Sequence, residues 1–321
     1  MQPHAYRVEM RKSSATPPPI PEGLQQVPPE LLAKMLSWDG VVALRRTSKT
    51  MRRAVEDADV AVQARRGVFF PRGGLFDALD SLFAVCRVRR LGLQTCRLGD
   101  NEASGATELA AALRLNTTLV SLDVAWNFLG DAGGRVIAEA LRGNTTLCSL
   151  NLGHNEIGAQ TMRVLAELLR CNSTLTSLAL SGNFLGEARV RELAEALRVD
   201  ATLTSLDLSN NRLREEGGGH LAEALRVNTT LVSLKLDYNE LEDEGGRAIA
   251  EAVRCNTTLS SLGLRVNLLG EQTVRALSAV MRDNTTLTSL TLDGNDLWNF
   301  NDTEAFRDAL NNNTTLQTLS Y

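Results

Sequence analysis

The residue types that do covalent or metal chemistry are sparse in this chain and poorly spaced for it. The three histidines, His4, His154 and His220, share no metal-ligand spacing. The five cysteines are an odd number without close spacing. Cys171 and Cys255 occupy one repeat phase 84 residues apart. Three stacked strands would separate them by at least ~14 Å, too far for a disulfide, so a reducing compartment is expected. There is no Gly-rich loop ending in Lys to cradle phosphates and no nucleophile motif. Asp, His and Ser recur in phase rather than forming a triad. The expectation is a protein without catalytic residues, metal or cofactor.

Residues suited to gripping a partner stand out more. Trp126 and His154 lie 28 residues apart, and Tyr238 sits at the same phase beside Lys235, Asp237 and Arg265. Asp207 and Asn210 fall in the same set of phases. Trp, Tyr and Arg are the types that dominate interface hot spots.

The elements that position these residues follow from a period of 28. Leu119, Leu147, Leu175, Leu203, Leu231, Leu259 and Leu287 mark it. A second Leu follows three residues later, and a third apolar residue, Val124 to Leu292, two further on. An Asn closes each copy: Asn127, Asn155, Asn183, Asn211, Asn239, Asn267 and Asn295. The L-x-L alternation makes a short strand with one buried face. The Asn side chain is expected to turn inward, bind backbone groups in the bend after the strand, and stack into a ladder. Cys96 holds that phase in a degenerate first copy.

The rest of each copy reads as helix. Val190, Leu193, Ala194 and Leu197 form one apolar stripe. Glu/Arg pairs three apart, such as Glu195/Arg198 and Glu223/Arg226, occupy the opposite, solvated face. An Asn after the helix is expected to end it in the left-handed conformation, and the Thr that follow favour the strand. Asn116, Asn144, Asn172, Asn228, Asn256 and Asn284 all begin formal glycosylation sequons. The repeat explains them better as structural residues. The first copy carries three extra residues between Leu98 and its helix, in the 100–105 stretch. Near the other end, Leu316 falls 29 residues after Leu287, with Trp298 and Phe300 entering the loop as a partial cap. The chain then reaches Tyr321 within a strand pattern, as an uncapped edge or a fragment.

The pattern L-x-x-L-x-L-x-x-N resembles the leucine-rich repeat, and the period with a full helix per copy resembles its ribonuclease-inhibitor-like class. The resemblance covers residues 88–321, about eight repeats. It implies an α/β horseshoe, with parallel strands on the concave face and helices on the convex face. Trp126, His154, Asp207, Asn210, Lys235, Asp237, Tyr238 and Arg265 then fall on the concave face as candidate partner-binding residues. Eight strands at ~4.8 Å give a strip nearly 40 Å long, suited to a protein and too open for a small-molecule pocket.

The N-terminal part is different. Residues 1–90 hold 15 basic and 9 acidic residues, whereas the remainder holds 19 and 29. Residues 1–26 are a Pro-rich lead-in. The stretch Val27-Pro28-Pro29-Glu30-Leu31-Leu32-Ala33-Lys34-Met35-Leu36-Ser37-Trp38, followed by Leu44-Arg45-Arg46-Thr47-Ser48-Lys49-Thr50-Met51-Arg52-Arg53, resembles an F-box. Met51 stands where that family has Trp, and the segment between Trp38 and Ser48 is about three residues short. The module spans 27–60, with linker and N-terminal cap at 61–87. The resemblance implies docking on a Skp-type adaptor of a cullin ubiquitin ligase through Pro28, Leu31, Leu32, Leu36, Leu44, Ser48 and Lys49. The repeats would hold a protein substrate. A helical cap on a stand-alone scaffold, or a GTPase-activating regulator resembling the Ran type, are the alternatives.

Composition agrees with a globular protein. Of 321 residues, 43% are hydrophobic and 22% charged, with a net charge of −4. That charge gives no nucleic-acid signature. No apolar run approaches the roughly 18 residues of a membrane span, and the first residues are too polar for a secretory signal. A cytoplasmic or nuclear location is the expectation.

Overall fold

The computed structural model describes residues 59–63, 79, 87–295, 297 and 303–321. They fall into two compact units, one up to Asn151 and the other from Leu152. Pro28, Leu31, Leu32, Leu36, Leu44, Ser48, Lys49, Trp298 and Phe300 lie outside the described residues.

The first unit contains strands β1 (Asp59–Gln63), β2 (Arg87–Gly92), β3 (Ser121–Asp123) and β4 (Ser149–Asn151), with helices α1 (Asp100–Leu115) and α2 (Gly130–Ala140). The strands pair in parallel in chain order. β1 straddles the boundary read between the helical module and the cap, so the sheet extends further N-terminal than the repeat pattern does. The extra residues of the first copy do not form a loop. They belong to α1, which begins at Asp100 and runs 16 residues. Gly99 precedes it because the chain passes against the next repeat there. A Cβ at Gly99 would lie 1.7 Å from the Phe128 carbonyl oxygen.

The second unit contains α3 (Ala159–Cys171), β5 (Ser177–Ala179), α4 (Gly186–Leu197), β6 (Ser205–Asp207), α5 (Arg214–Leu225), β7 (Ser233–Lys235), α6 (Glu242–Cys255), β8 (Ser261–Gly263), α7 (Glu271–Asp283), β9 (Ser289–Thr291), α8 (Thr303–Asn312) and β10 (Thr318–Ser320). Its strands are also parallel, paired residue to residue at 28 positions' offset, as in Ser205 with Ser233. Only β9 and β10 pair at an offset of 29, Ser289 with Thr318, as the spacing of Leu316 requires. This is the leucine-rich repeat fold, with alternating parallel strands and helices in an open sheet.

The core is the leucine lattice. Leu175, Leu203, Leu231 and Leu259 are buried, as are Leu206, Leu234 and Leu262 at the centres of three-residue strands. Each buried Leu is worth about 1.5–3 kcal/mol. Val190, Leu193, Ala194 and Leu197 turn the stripe of α4 inward.

The ladder forms as the sequence suggests. Asn211 Oδ1 accepts the Asn183 amide at 2.9 Å and the Leu185 amide at 3.4 Å. Its Nδ2 donates to the carbonyls of Leu180 at 3.0 Å and Leu208 at 2.9 Å. Asn155, Asn183, Asn239 and Asn267 donate their amides to the next Asn in the same way, at 2.8–3.0 Å. In the first unit Asn127 Oδ1 serves the Cys96 amide at 2.7 Å. Cys96 accordingly fills the phase as a buried thiol, pushed up to about 12 by that burial.

The asparagines that follow the helices behave differently from expectation. Asn116, Asn172, Asn256 and Asn284 are extended, with φ between −76° and −86°. Their side chains do the work instead. Asn256 Oδ1 accepts the amides of Thr258 at 2.9 Å and Leu259 at 2.7 Å. Its Nδ2 donates back to the carbonyls of Leu225 at 2.8 Å and Asn228 at 3.1 Å. A side chain engaged on both ends turns the chain without a left-handed residue. Of the sequon asparagines, Asn116, Asn228, Asn256 and Asn284 are buried, so in these four the side chain is taken up by the structure. The surface charges pair across repeats as well as within them. Arg198 reaches Glu195 and Glu223, both at 4.0 Å, while Arg226 reaches Glu251 on the next helix at 3.5 Å.

Candidate interaction surface

The bend after each strand decides which residues face outward. The ladder Asn is buried, and its two neighbours take positive φ around it. In the second unit these pairs are His154/Glu156, Gly182/Phe184, Asn210/Arg212, Tyr238/Glu240 and Val266/Leu268. Left-handed backbone is unfavourable for a side chain with Cβ by roughly 1–2 kcal/mol. The inward hydrogen bonds of each Asn hold it there, and the neighbours are turned outward as a result.

In the first unit this puts two large aromatics at the surface. Trp126 is 53% and Phe128 62% exposed, at φ +61° and +53°. Trp126 lies three residues after the end of β3. Phe128 was not anticipated, although it is the residue directly after the ladder Asn.

In the second unit the strand face carries His154, Asp207, Asn210, Lys235, Asp237, Tyr238 and Arg265. Asn210, Lys235, Tyr238 and Arg265 are exposed, and His154, Asp207 and Asp237 are half-buried. Four of them form one electrostatic cluster around Asp237. Burial pushes its carboxyl up from the usual range, and Asp207 adds to this. The Arg265 amide, Lys235 and the Arg265 guanidinium pull the other way. Asp237 Oδ1 accepts the Arg265 amide at 2.8 Å, one repeat away. Gly263 makes that reach possible, because a Cβ there would lie 2.8 Å from the same oxygen. Asp207 instead bonds within its own repeat, to the Ser209 amide at 3.0 Å.

His154 lies over Gly182, whose missing side chain leaves room for the ring. A Cβ at Gly182 would fall 2.2 Å from Nδ1. Burial lowers the imidazole from its ordinary value, and Asp207 partly offsets that. On the rim beside the strand face, the Arg212 guanidinium stacks 4.9 Å above the Phe184 ring. Neither had drawn attention in the sequence. The signal was available, since both directly follow a ladder Asn, as Phe128 does.

Among the described residues no group of three or more His, Cys, Asp or Glu could hold a metal ion. Among the same residues, no helix is long and apolar enough to cross a membrane.

Comparison with known proteins agrees on the repeat. Residues 115–138, 143–166, 199–222 and 227–250 match a family model described as Leucine Rich repeat. The chain is similar to the leucine-rich repeat-containing protein LegL7 from Legionella pneumophila, at 21% identity and a TM-score of 0.52, over 78% of each chain. It is also similar to actin-binding site 2 of leiomodin-1, at 25% identity, a TM-score of 0.34, 40% of this chain and 73% of that one. A third similar structure is the tropomodulin C-terminal domain of Caenorhabditis elegans, at 18% identity, a TM-score of 0.39, 44% of this chain and 90% of that one. A search of curated proteins found no match. The chain thus carries leucine-rich repeats, a scaffold suited to protein–protein interaction.

Proposed function

We propose that this protein is a non-catalytic interaction adaptor that holds a protein partner on its strand face. The observation that carries the reading is the set of exposed side chains on that face. In the first unit Trp126 is 53% exposed and in the second Tyr238 is 48% exposed, whereas most other large apolar side chains described in each unit are buried. Large aromatics left at the surface of a rigid element are the usual anchors of an interface. An open strip of strands matches a protein surface better than a small molecule.

The finer reading is a substrate receptor of a cullin ubiquitin ligase, at work in the cytoplasm or nucleus. It rests on the F-box-like residues Pro28, Leu31, Leu32, Leu36, Leu44, Ser48 and Lys49, which would dock on a Skp-type adaptor. Other subunits would then carry out the transfer chemistry. The stand-alone scaffold is the second reading, favoured by Met51 in place of the family's Trp. Co-purification of the full chain with a Skp-type adaptor, beside Leu31→Asp and Leu36→Asp, separates them. Capture by the parent chain that both substitutions abolish supports the receptor. No capture by the parent chain leaves the scaffold.

A further inference from the structure

The strand face of the second unit also specifies what kind of segment it takes, on the reading above that this face binds protein. Its carboxylates are recessed and already engaged. Asp207, Asp237 and Asp293 are half-buried; Asp207 and Asp237 each accept a backbone amide, from Ser209 and Arg265 respectively, and Asp293 accepts the Ser320 hydroxyl at 2.6 Å. Its cations stand out: they feel the charge of Asp237 but make no close ion pair among the described residues. Lys235 and Arg265 are exposed, and among the described residues neither side chain is ion-paired at contact distance. Tyr238 lies three residues after Lys235, in the bend that follows β7, 48% exposed, with its hydroxyl making no hydrogen bond among the described residues.

An arriving partner therefore meets an ammonium, a guanidinium and a phenol that are more exposed than the carboxylates of Asp207, Asp237 and Asp293. Pairing them costs the protein little, since no existing contact must break. A cationic partner would have to push past Lys235 and Arg265 to reach oxygens that already hold amide protons. The unit as a whole is acidic, with 15 basic and 23 acidic residues in 152–321. That background field repels a polyanion such as nucleic acid. It leaves room for a segment with few, well-placed negative charges.

We propose that the strand face between β6 and β9 binds a protein segment carrying a pair of carboxylates beside an apolar side chain. The carboxylates pair with Lys235 and Arg265, and the apolar side chain packs on Tyr238. Asp237 serves as a positioning residue, because its bond to the Arg265 amide holds that residue's backbone one repeat away.

The test uses the full chain and three short fluorescent peptides with one shared apolar frame, bearing a pair of Glu, Gln or Lys. Binding is read by polarisation. The Glu peptide is expected to bind tightest and to weaken as salt rises. The Lys235→Glu, Arg265→Glu double variant should lose at least about tenfold for the Glu peptide, with its circular dichroism unchanged. Lys235→Gln and Arg265→Gln should each fall between the two. Unchanged affinity in the double variant overturns the proposal, as does equal binding of a single-stranded oligonucleotide. If the Lys peptide binds tightest and Tyr238→Ala weakens it, the assigned charge is wrong while the strand face remains the protein-binding surface. If no peptide responds to Tyr238→Ala, the surface itself is wrong as well.

Discussion

Truncating one ladder asparagine should cost far more than its size suggests. In Asn211→Ala the carbonyls of Leu180 and Leu208 each keep one partner, Asn183 Nδ2 and Asn239 Nδ2, both at 2.9 Å. The amides of Asn183 and Leu185 keep none, and both are buried. An orphaned buried donor costs about 1–3 kcal/mol. Two of them, with the weaker carbonyl bonding, bring the loss to about 3–5 kcal/mol. Urea unfolding reads the total. Because repeats open locally, amide exchange should show the loss concentrated at residues 183 and 185. Asn210→Gly is the control, one position away but exposed and left-handed at φ +56°. It should change stability by less than about 0.5 kcal/mol. A loss below about 1 kcal/mol in Asn211→Ala, or an equal loss in the control, would refute this account of the ladder.

Other consequences can be checked alongside. Asp200 occupies a phase where Asn228 donates Nδ2 to the preceding repeat's Leu197 carbonyl at 2.7 Å, a bond a carboxylate cannot make. Asp200→Asn should raise stability by about 0.5–1.5 kcal/mol, and a lower urea midpoint would contradict this. Gly182→Ala should expel the His154 ring from its place, so that NMR titration shows the imidazole returning upward toward 6.5. In the parent chain the lowered imidazole makes the folded state bind fewer protons than the unfolded one. Its contribution to stability is present above 6.5 and is lost as pH falls below it; an unshifted titration in Gly182→Ala would count against the seating. Trp126→Ala and Tyr238→Ala should each weaken partner binding by about tenfold or more without moving the unfolding midpoint.

Much of the fold could be read from periodicity, because a solenoid repeats one local solution. The leucines, the ladder and the offset of 29 at β10 each have a direct mark in the residues. The conformation of Asn116, Asn172, Asn256 and Asn284 did not. Asn is compatible both with a left-handed helix end and with an extended residue whose amide bonds in two directions. Neighbouring repeats decide between them, since the Nδ2 partners lie 28 and 31 positions back. The same limit hid part of the surface. Trp126 and Tyr238 were visible as aromatics in a polar row. Phe184 and Arg212 lie one repeat apart, and their stacking emerges only when the bends are built. The reach of Asp237 across Gly263 likewise depends on two repeats at once.

The register carries one more implication, for how such a chain can change its length. Every strand from β5 to β9 pairs with the residue 28 positions away. Duplicating or excising one whole period therefore returns each leucine, each amide and each ladder Asn to a chemically equivalent neighbour. Losing one residue more or less would rotate the following helix by about 100° and turn its apolar stripe to water. Recombination between copies from β5 to β9 thus keeps the lattice when it moves whole periods, whereas the offsets of 29 at β10 and 31 at β3 place the irregular lengths outside that stretch. Each accepted event lengthens or shortens the exposed strip by one strand spacing, about 4.8 Å, so the reach of the surface can evolve separately from its chemistry.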